Sequence, residues 1–325
     1  MAEERRVALA LGSGGARGYA HIGVIEELEA EGFEIVGIAG TSMGALVGGL
    51  YCADRLPAYT DWVRALTHRD MLRLLDPAFI GPGMVRAEKI LAKITELVGD
   101  TAIEDLRLPF TAVATDLSAR KEVWFQRGRL DAAIRASIAI PGLITPVVMR
   151  GRLLADGGLM NPLPVVATAA IPADLTVAVS LSEEYHTTAA SPTAPWPGQA
   201  GTITEPDEQA EREPGAEPEL MRTLTSWLQS IRGQVAEEVS AGALEHGPEP
   251  LFEALPAGLR TRDVLDLSLD TLRSVLAKYR LAGYPPDVLI TIPQDACGTM
   301  DFHRAAELIA LGRARARAAL AEMAR

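Results

Sequence analysis

The sequence predicts an α/β fold with a largely parallel central sheet covered by helices. Two observations carry this. From Arg6 to about Ser182, short apolar runs alternate with helical patterns. The runs also lack the alternation of a strand with one wet face, so both faces should be covered. Apolar residues make up 48% of the 325, enough for a sizeable core.

The elements follow in order. Val7–Gly12 is a continuous apolar run closed by glycine, as a buried strand would be. Arg17 to Ala30 reads as a helix, with Ile22, Ile25 and Leu28 near one face. Glu34–Gly40 is a second buried strand, and Met43 to Ala53 a second helix whose glycines permit close approach. Phe110–Leu117 and Ala173–Leu181 read as further buried strands, and a short apolar strand precedes Asp156. The segment 183–218 is rich in Pro, Gly, Ala and acids, buries too little apolar area to offset its ordering entropy, and reads as a disordered insertion. Leu220, Leu224, Trp227, Leu228, Ile231 and Val235 then mark a helix that packs on the domain within a helical segment, 219–282. A Gly-Tyr-Pro-Pro stop leads to a last strand at Asp287–Ile292 and a closing helix N-capped by Asp301, so that 283–325 completes the domain begun by 1–182.

Bulk charge narrows the partners. The formal net charge is -12, from 31 Lys+Arg against 43 Asp+Glu. Such a chain repels phosphate backbones, which argues against nucleic acid. No apolar stretch reaches the length of a bilayer span, so any membrane contact would be peripheral. Cys52 and Cys297 lack CxxC spacing and suit a reduced, cytoplasmic setting. No His/Cys/Asp cluster has ligand spacing, so no metal or other cofactor is expected.

Two glycine-containing turns carry chemistry. The first, Gly12-Ser13-Gly14-Gly15-Ala16-Arg17-Gly18, lies between a strand and a helix, where free N–H groups can meet a nucleotide phosphate or an acyl oxyanion. A dinucleotide fingerprint would need glycine at position 17, where Arg17 stands, and no GK[ST] follows. The second, Gly40-Thr41-Ser42-Met43-Gly44, is a GxSxG between a strand and a helix. A turn that sharp strains the middle residue and exposes its hydroxyl, while the helix N-terminus supports developing negative charge. Ser42 is therefore the candidate nucleophile.

A serine hydroxyl needs a base. His21 and His303 fall inside helical patterns, His186 borders the acidic insertion, His246 lies in a Gly-Pro loop, and His68 has no better setting. Asp156 offers an alternative: it ends a short strand and is followed by Gly157 and Gly158, which let the chain turn without crowding the carboxylate. An ordinary Asp-Gly turn would look the same. Asp131 reads as a helix cap or ion-pair partner.

SGGARG, GTSMG and DGG in this order resemble the patatin-like phospholipase family. The resemblance runs from Val7 to about Leu181 and returns near YPPDVLI. It implies a three-layer α/β/α fold and a Ser–Asp dyad, with Ser42 as nucleophile and Asp156 as base. It further implies an oxyanion hole from the N–H groups of Gly14 and Gly15, with Arg17 as supporting charge. Ser13 stands where members commonly carry a glycine. The activity implied is hydrolysis of lipid acyl esters, phospholipid or lysophospholipid, without metal. An acyltransferase using the same acyl-enzyme and a non-enzymatic regulatory module are the competing readings.

Overall fold

The computed structural model describes residues 5–67, 69–70, 83–85, 88–183 and 261–323. In chain order the elements are β1 (Arg5–Leu11), α1 (Ala20–Ala30), β2 (Phe33–Thr41), α2 (Met43–Cys52), α3 (Leu56–Ala65), β3 (Gly83–Val85) and α4 (Glu88–Val98). There follow β4 (Phe110–Asp116), β5 (Lys121–Phe125), α5 (Leu130–Ser137), β6 (Gly142–Ile144), β7 (Val147–Met149) and β8 (Arg152–Asp156). The chain closes with β9 (Leu175–Glu183), α6 (Thr261–Gly283), β10 (Val288–Pro293) and α7 (Ala305–Met323).

The main sheet runs β10-β9-β1-β2-β4-β8-β7, with β5 also paired to β4. The five strands from β10 to β4 are parallel, while β5 and β8 lie antiparallel to β4. The chain leaves β1 toward β2 on one side and reaches β9 on the other, so the strand order reverses at β1. In open α/β sheets, ligand sites form outside the carboxyl ends of the strands at such a point.

The buried strands are more patterned than continuous apolar runs suggest. Val7, Leu9 and Leu11, with Val177, Val179 and Leu181, join one core with Ile22 and Leu28 of α1, Leu46 and Leu50 of α2, and Leu308 of α7. On the opposite face Ala10 and Ala178 meet Leu163, Val165 and Leu281 of α6. Small residues on that face let a turn of chain lie close to the sheet, which gives the three layers. Helices α1 and α7 touch backbone to backbone: a Cβ on Gly23 would lie 1.9 Å from Ile309 O, and one on Gly312 2.0 Å from Ala20 O.

Some boundaries differ from the sequence expectation. The first helix starts at Ala20, because Gly15–Tyr19 form a 3-10 turn tightened by Ala16 N–H on Thr299 O. Asp301 does not cap the closing helix: its carboxylate accepts from Gly298 N–H at 2.9 Å, and a 3-10 turn, Phe302–Arg304, precedes α7. Asp131 pairs with Arg129 at 2.8 Å, which holds its carboxyl below the usual range. Both cysteines are free and buried. Among the described residues, no helix is long and apolar enough to cross a membrane. The insertion at 183–218, apart from Glu183, and the helix expected from Leu220 lie outside the described residues.

Candidate active site

Register on one strand brings the two halves of the site together. Val113 and Ala114 are consecutive on β4; Val113 pairs with Thr41, the last residue of β2, and Ala114 with Asp156, the last of β8. Both pair with β5 on their other edge. Strands β2 and β8 therefore meet end to end, from opposite directions, along one edge of β4. Ser42 follows Thr41 at that junction.

Ser42 has φ 56 and ψ -121, a conformation that side-chain-bearing residues rarely adopt. Several contacts hold it. Its N–H donates to Ser137 Oγ at 2.8 Å, and the Ser137 hydroxyl donates to Val113 O at 2.6 Å. Thr41 Oγ1 donates to Asn161 O at 2.9 Å, tying the elbow to the turn after Asp156. The glycines are steric necessities: a Cβ on Gly44 would lie 2.1 Å from Leu11 O, and one on Gly40 2.3 Å from Gly44 O. Met43 opens α2 and packs against Gly18, where a Cβ would come within 2.3 Å of Met43 Cβ.

Asp156 is fully buried. Its N–H donates to Ala139 O at 2.8 Å, and its Oδ1 accepts from Gly158 N–H at 2.7 Å. Gly157 passes so close to Val113 O that a Cβ would sit 2.2 Å away. Burial raises the Asp156 carboxyl above its ordinary pKa; the positive charge of Arg273, the Ser42 hydroxyl and the Gly158 N–H partly oppose this. The Ser42 hydroxyl is thus close enough to act on the carboxylate. Ser42 Oγ and Asp156 Oδ2 nevertheless complete no well-formed hydrogen bond. The two groups are neighbours without full alignment, as is common before substrate binds.

The glycine loop follows β1 at the switch point. Gly12 N–H donates to Val179 O (3.0 Å), Ser13 N–H to Pro162 O (2.8 Å) and Ala16 N–H to Thr299 O (3.0 Å). The N–H groups of Gly14 and Gly15 find no acceptor among the described residues. Two buried side chains hold the carbonyls of this loop: His21 Nε2 meets Gly12 O at 2.8 Å and Arg17 Nε donates to Gly14 O at 3.2 Å. In a trans peptide the C=O and the following N–H point in opposite directions. Gly15 N–H is therefore turned away from Arg17. Arg17 also donates to Gln294 O at 3.0 Å and pairs with Asp270 at 3.8 Å, so its guanidinium anchors the loop. Ser13 directs its side chain at Gly158, where a Cβ would meet Ser13 Oγ at 2.6 Å.

Burial pushes His21 down to about 4, so the ring is neutral at physiological pH and occupied with Gly12. His303 lies on the 3-10 turn before α7, while His68, His186 and His246 lie outside the described residues.

Ser42 and Gly15 open into an apolar cavity lined by Tyr19, Met43, Leu46, Tyr59, Trp62, Ile138, Ile140, Leu143, Ile144, Met300 and Phe302, among others. Tyr19 meets Phe302 edge-on at 6.0 Å, and Tyr59 lies 5.8 Å from Trp62, which forms an aromatic wall. Neither this wall nor Ser137 is evident from the sequence. Ser137 sits unremarked in RASIAIPG, with no motif to single it out.

The family model described as Patatin-like phospholipase matches residues 9–169. An NTE family protein of Mycobacterium tuberculosis is 49% identical over 337 residues, which cover 97% of this chain and 91% of that protein. A Neuropathy target esterase sws of Drosophila sechellia is 34% identical over 165 residues, 49% of this chain and 11% of that much longer protein. The solved structure of VipD from Legionella pneumophila aligns with a TM-score of 0.43 at 13% identity, covering 99% of this chain and 67% of that one. With its serine elbow and Asp-Gly-Gly turn meeting where β2 and β8 end, beside the glycine loop that follows β1, this chain belongs to the NTE family of patatin-like phospholipase proteins.

Proposed function

We propose that this protein is a serine acyl-hydrolase that cleaves acyl esters of lipids, phospholipid or lysophospholipid, through a Ser42–Asp156 dyad. One observation carries the proposal. The register on β4 puts a strained serine and a buried carboxylate end to end, each with an oxygen lacking a partner, and the serine opens into an apolar cavity. The relatives named as phospholipase and esterase support the same class of chemistry.

The steps follow from the positions. An acyl chain in the cavity brings its ester carbonyl to Ser42. Asp156 Oδ2 takes the hydroxyl proton as Oγ attacks, and its raised proton affinity makes it a better base than an ordinary carboxylate. The Gly14 and Gly15 N–H groups receive the oxyanion, and Arg17 holds that loop in place. Asp156 returns the proton to the departing alcohol. Water, deprotonated by the same carboxylate, then cleaves the acyl-serine to release the fatty acid.

A fluorophosphonate probe and a graded series of acyl esters test this. Wild type should be labelled and active, Ser42→Ala neither. Labelling that persists in Ser42→Ala would put the nucleophile elsewhere.

A further inference from the structure

We infer that Arg273 is a specificity residue that binds the phosphodiester oxyanion of a glycerophospholipid substrate through the Nε–Nη2 edge of its guanidinium. The inference rests on the lipid-ester reading above. It starts from α6, which clasps both active-site turns. Asp270 pairs with Arg17 of the glycine loop, and Arg280 Nε donates to Met160 O at 2.9 Å, just after the Asp156-Gly157-Gly158 turn. Residues 270, 273, 277 and 280 share one helix face at 3.6 residues per turn. Ala277 on that face is buried. Arg273 thus lies on α6 between the two anchors, near enough to Asp156 for its charge to act on that carboxylate.

Its bonding is incomplete in a specific way. Nη1 meets Asp270 Oδ1 at 3.4 Å, while Nε and Nη2 are buried with no partner. The side chain is only 14% exposed. Buried donors on a charged group are costly when left unmet, so an occupant is called for. The vacant pair is the side-on fork, whose two parallel N–H groups match two oxygens of a phosphate or carboxylate.

Charge points the same way. Asp270 is shared between Arg17 and Arg273. The Arg273 charge also acts on Asp156, which must stay free to accept a proton. Two guanidinium groups thus face Asp270 and Asp156, and a positive charge is in excess while Asp156 holds the serine proton, with Arg273 outside the apolar lining. A phospholipid has the matching layout. Its acyl chain fills the cavity, its ester carbonyl reaches Ser42, and its phosphate follows a few bonds away on the glycerol.

The test compares two esters with the same chain, lauroyl lysophosphatidylcholine and monolauroylglycerol, as the ratio of their kcat/KM values. In Arg273→Met this ratio should fall about tenfold to a hundredfold, mainly through KM of the lysophospholipid, the range for losing charged hydrogen bonds. Arg273→Lys, which keeps the charge without the fork, should recover part of it. An unchanged ratio in an active Arg273→Met overturns the inference and leaves the dyad standing. Inactivity of wild type on both esters overturns the lipid-ester reading and this inference with it. A second measurement needs no variant. Glycerophosphocholine should inhibit monolauroylglycerol hydrolysis by wild type competitively, whereas glycerol and inorganic phosphate should not. No inhibition by glycerophosphocholine, or equal inhibition by inorganic phosphate, overturns the headgroup assignment.

Discussion

Asp156→Asn separates two consequences of one buried carboxylate. The side chain keeps its shape, and the amide oxygen can still accept from Gly158 N–H, which lies 2.7 Å from Oδ1. The amide nitrogen then occupies the place of Oδ2, facing a Ser42 hydroxyl that has no partner. The variant cannot take the serine proton, so kcat should fall by about 10²–10⁴, the contribution of a positioned base. Stability should move the other way. Burial raises the folded pKa of Asp156, so between the ordinary carboxylate value and that raised value the folded protein binds more protons than the unfolded chain. Wild-type stability from this group is therefore present at low pH and lost as pH rises through the folded pKa. Asparagine carries no such loss and adds a hydrogen bond worth about 1 kcal/mol net. Each unit by which the pKa is raised adds about 1.4 kcal/mol to the difference at neutral pH. Denaturant melts of both proteins across acid to neutral pH, with esterase kinetics on the same samples, read both effects. A variant less stable than wild type at neutral pH, or one that keeps most of its turnover, would refute the reasoning.

If Asp156 is the base, the kcat/KM profile of wild type should have an acid limb above the ordinary aspartate range, because a base acts only when ionised; a limb at the ordinary value would contradict the burial argument. Ser42→Gly and Ser42→Ala should both be inactive, but glycine should be more stable by about 1 kcal/mol in a melt, since φ 56 costs it little. Gly14→Ala would set a methyl 2.6 Å from Leu181 Cβ, and the displaced loop should lower kcat by about 10²–10³ if it holds the oxyanion; unchanged kcat in a folded variant would count against that role. Ser137→Ala leaves Ser42 N–H and Val113 O unmet in the core, so it should cost about 1–3 kcal/mol of stability and reduce kcat more than it changes KM.

What the sequence by itself determined is local. A strand that runs into glycine, a serine between glycines at a strand-to-helix turn, and an Asp-Gly-Gly after a short strand are each written in consecutive residues. Turn chemistry and steric demand act over a few bonds, so such features are legible without knowing what they touch. The same holds for the helices that begin and close the chain, although their ends shifted where Ala16 and Asp301 found partners elsewhere. The antiparallel entry of β8 was not legible, because its register with Ala114 links residues far apart in the chain. Nor was the support of Ser42 by Ser137, 95 residues away, or the aromatic wall built from Tyr19, Tyr59, Trp62 and Phe302. Arg273 has no motif around it, and only the docking of α6 across two turns buries its Nε and Nη2 without a partner. The tertiary structure decided these because burial, and with it the raised proton affinity of Asp156, comes from side chains that meet only when the sheet has closed.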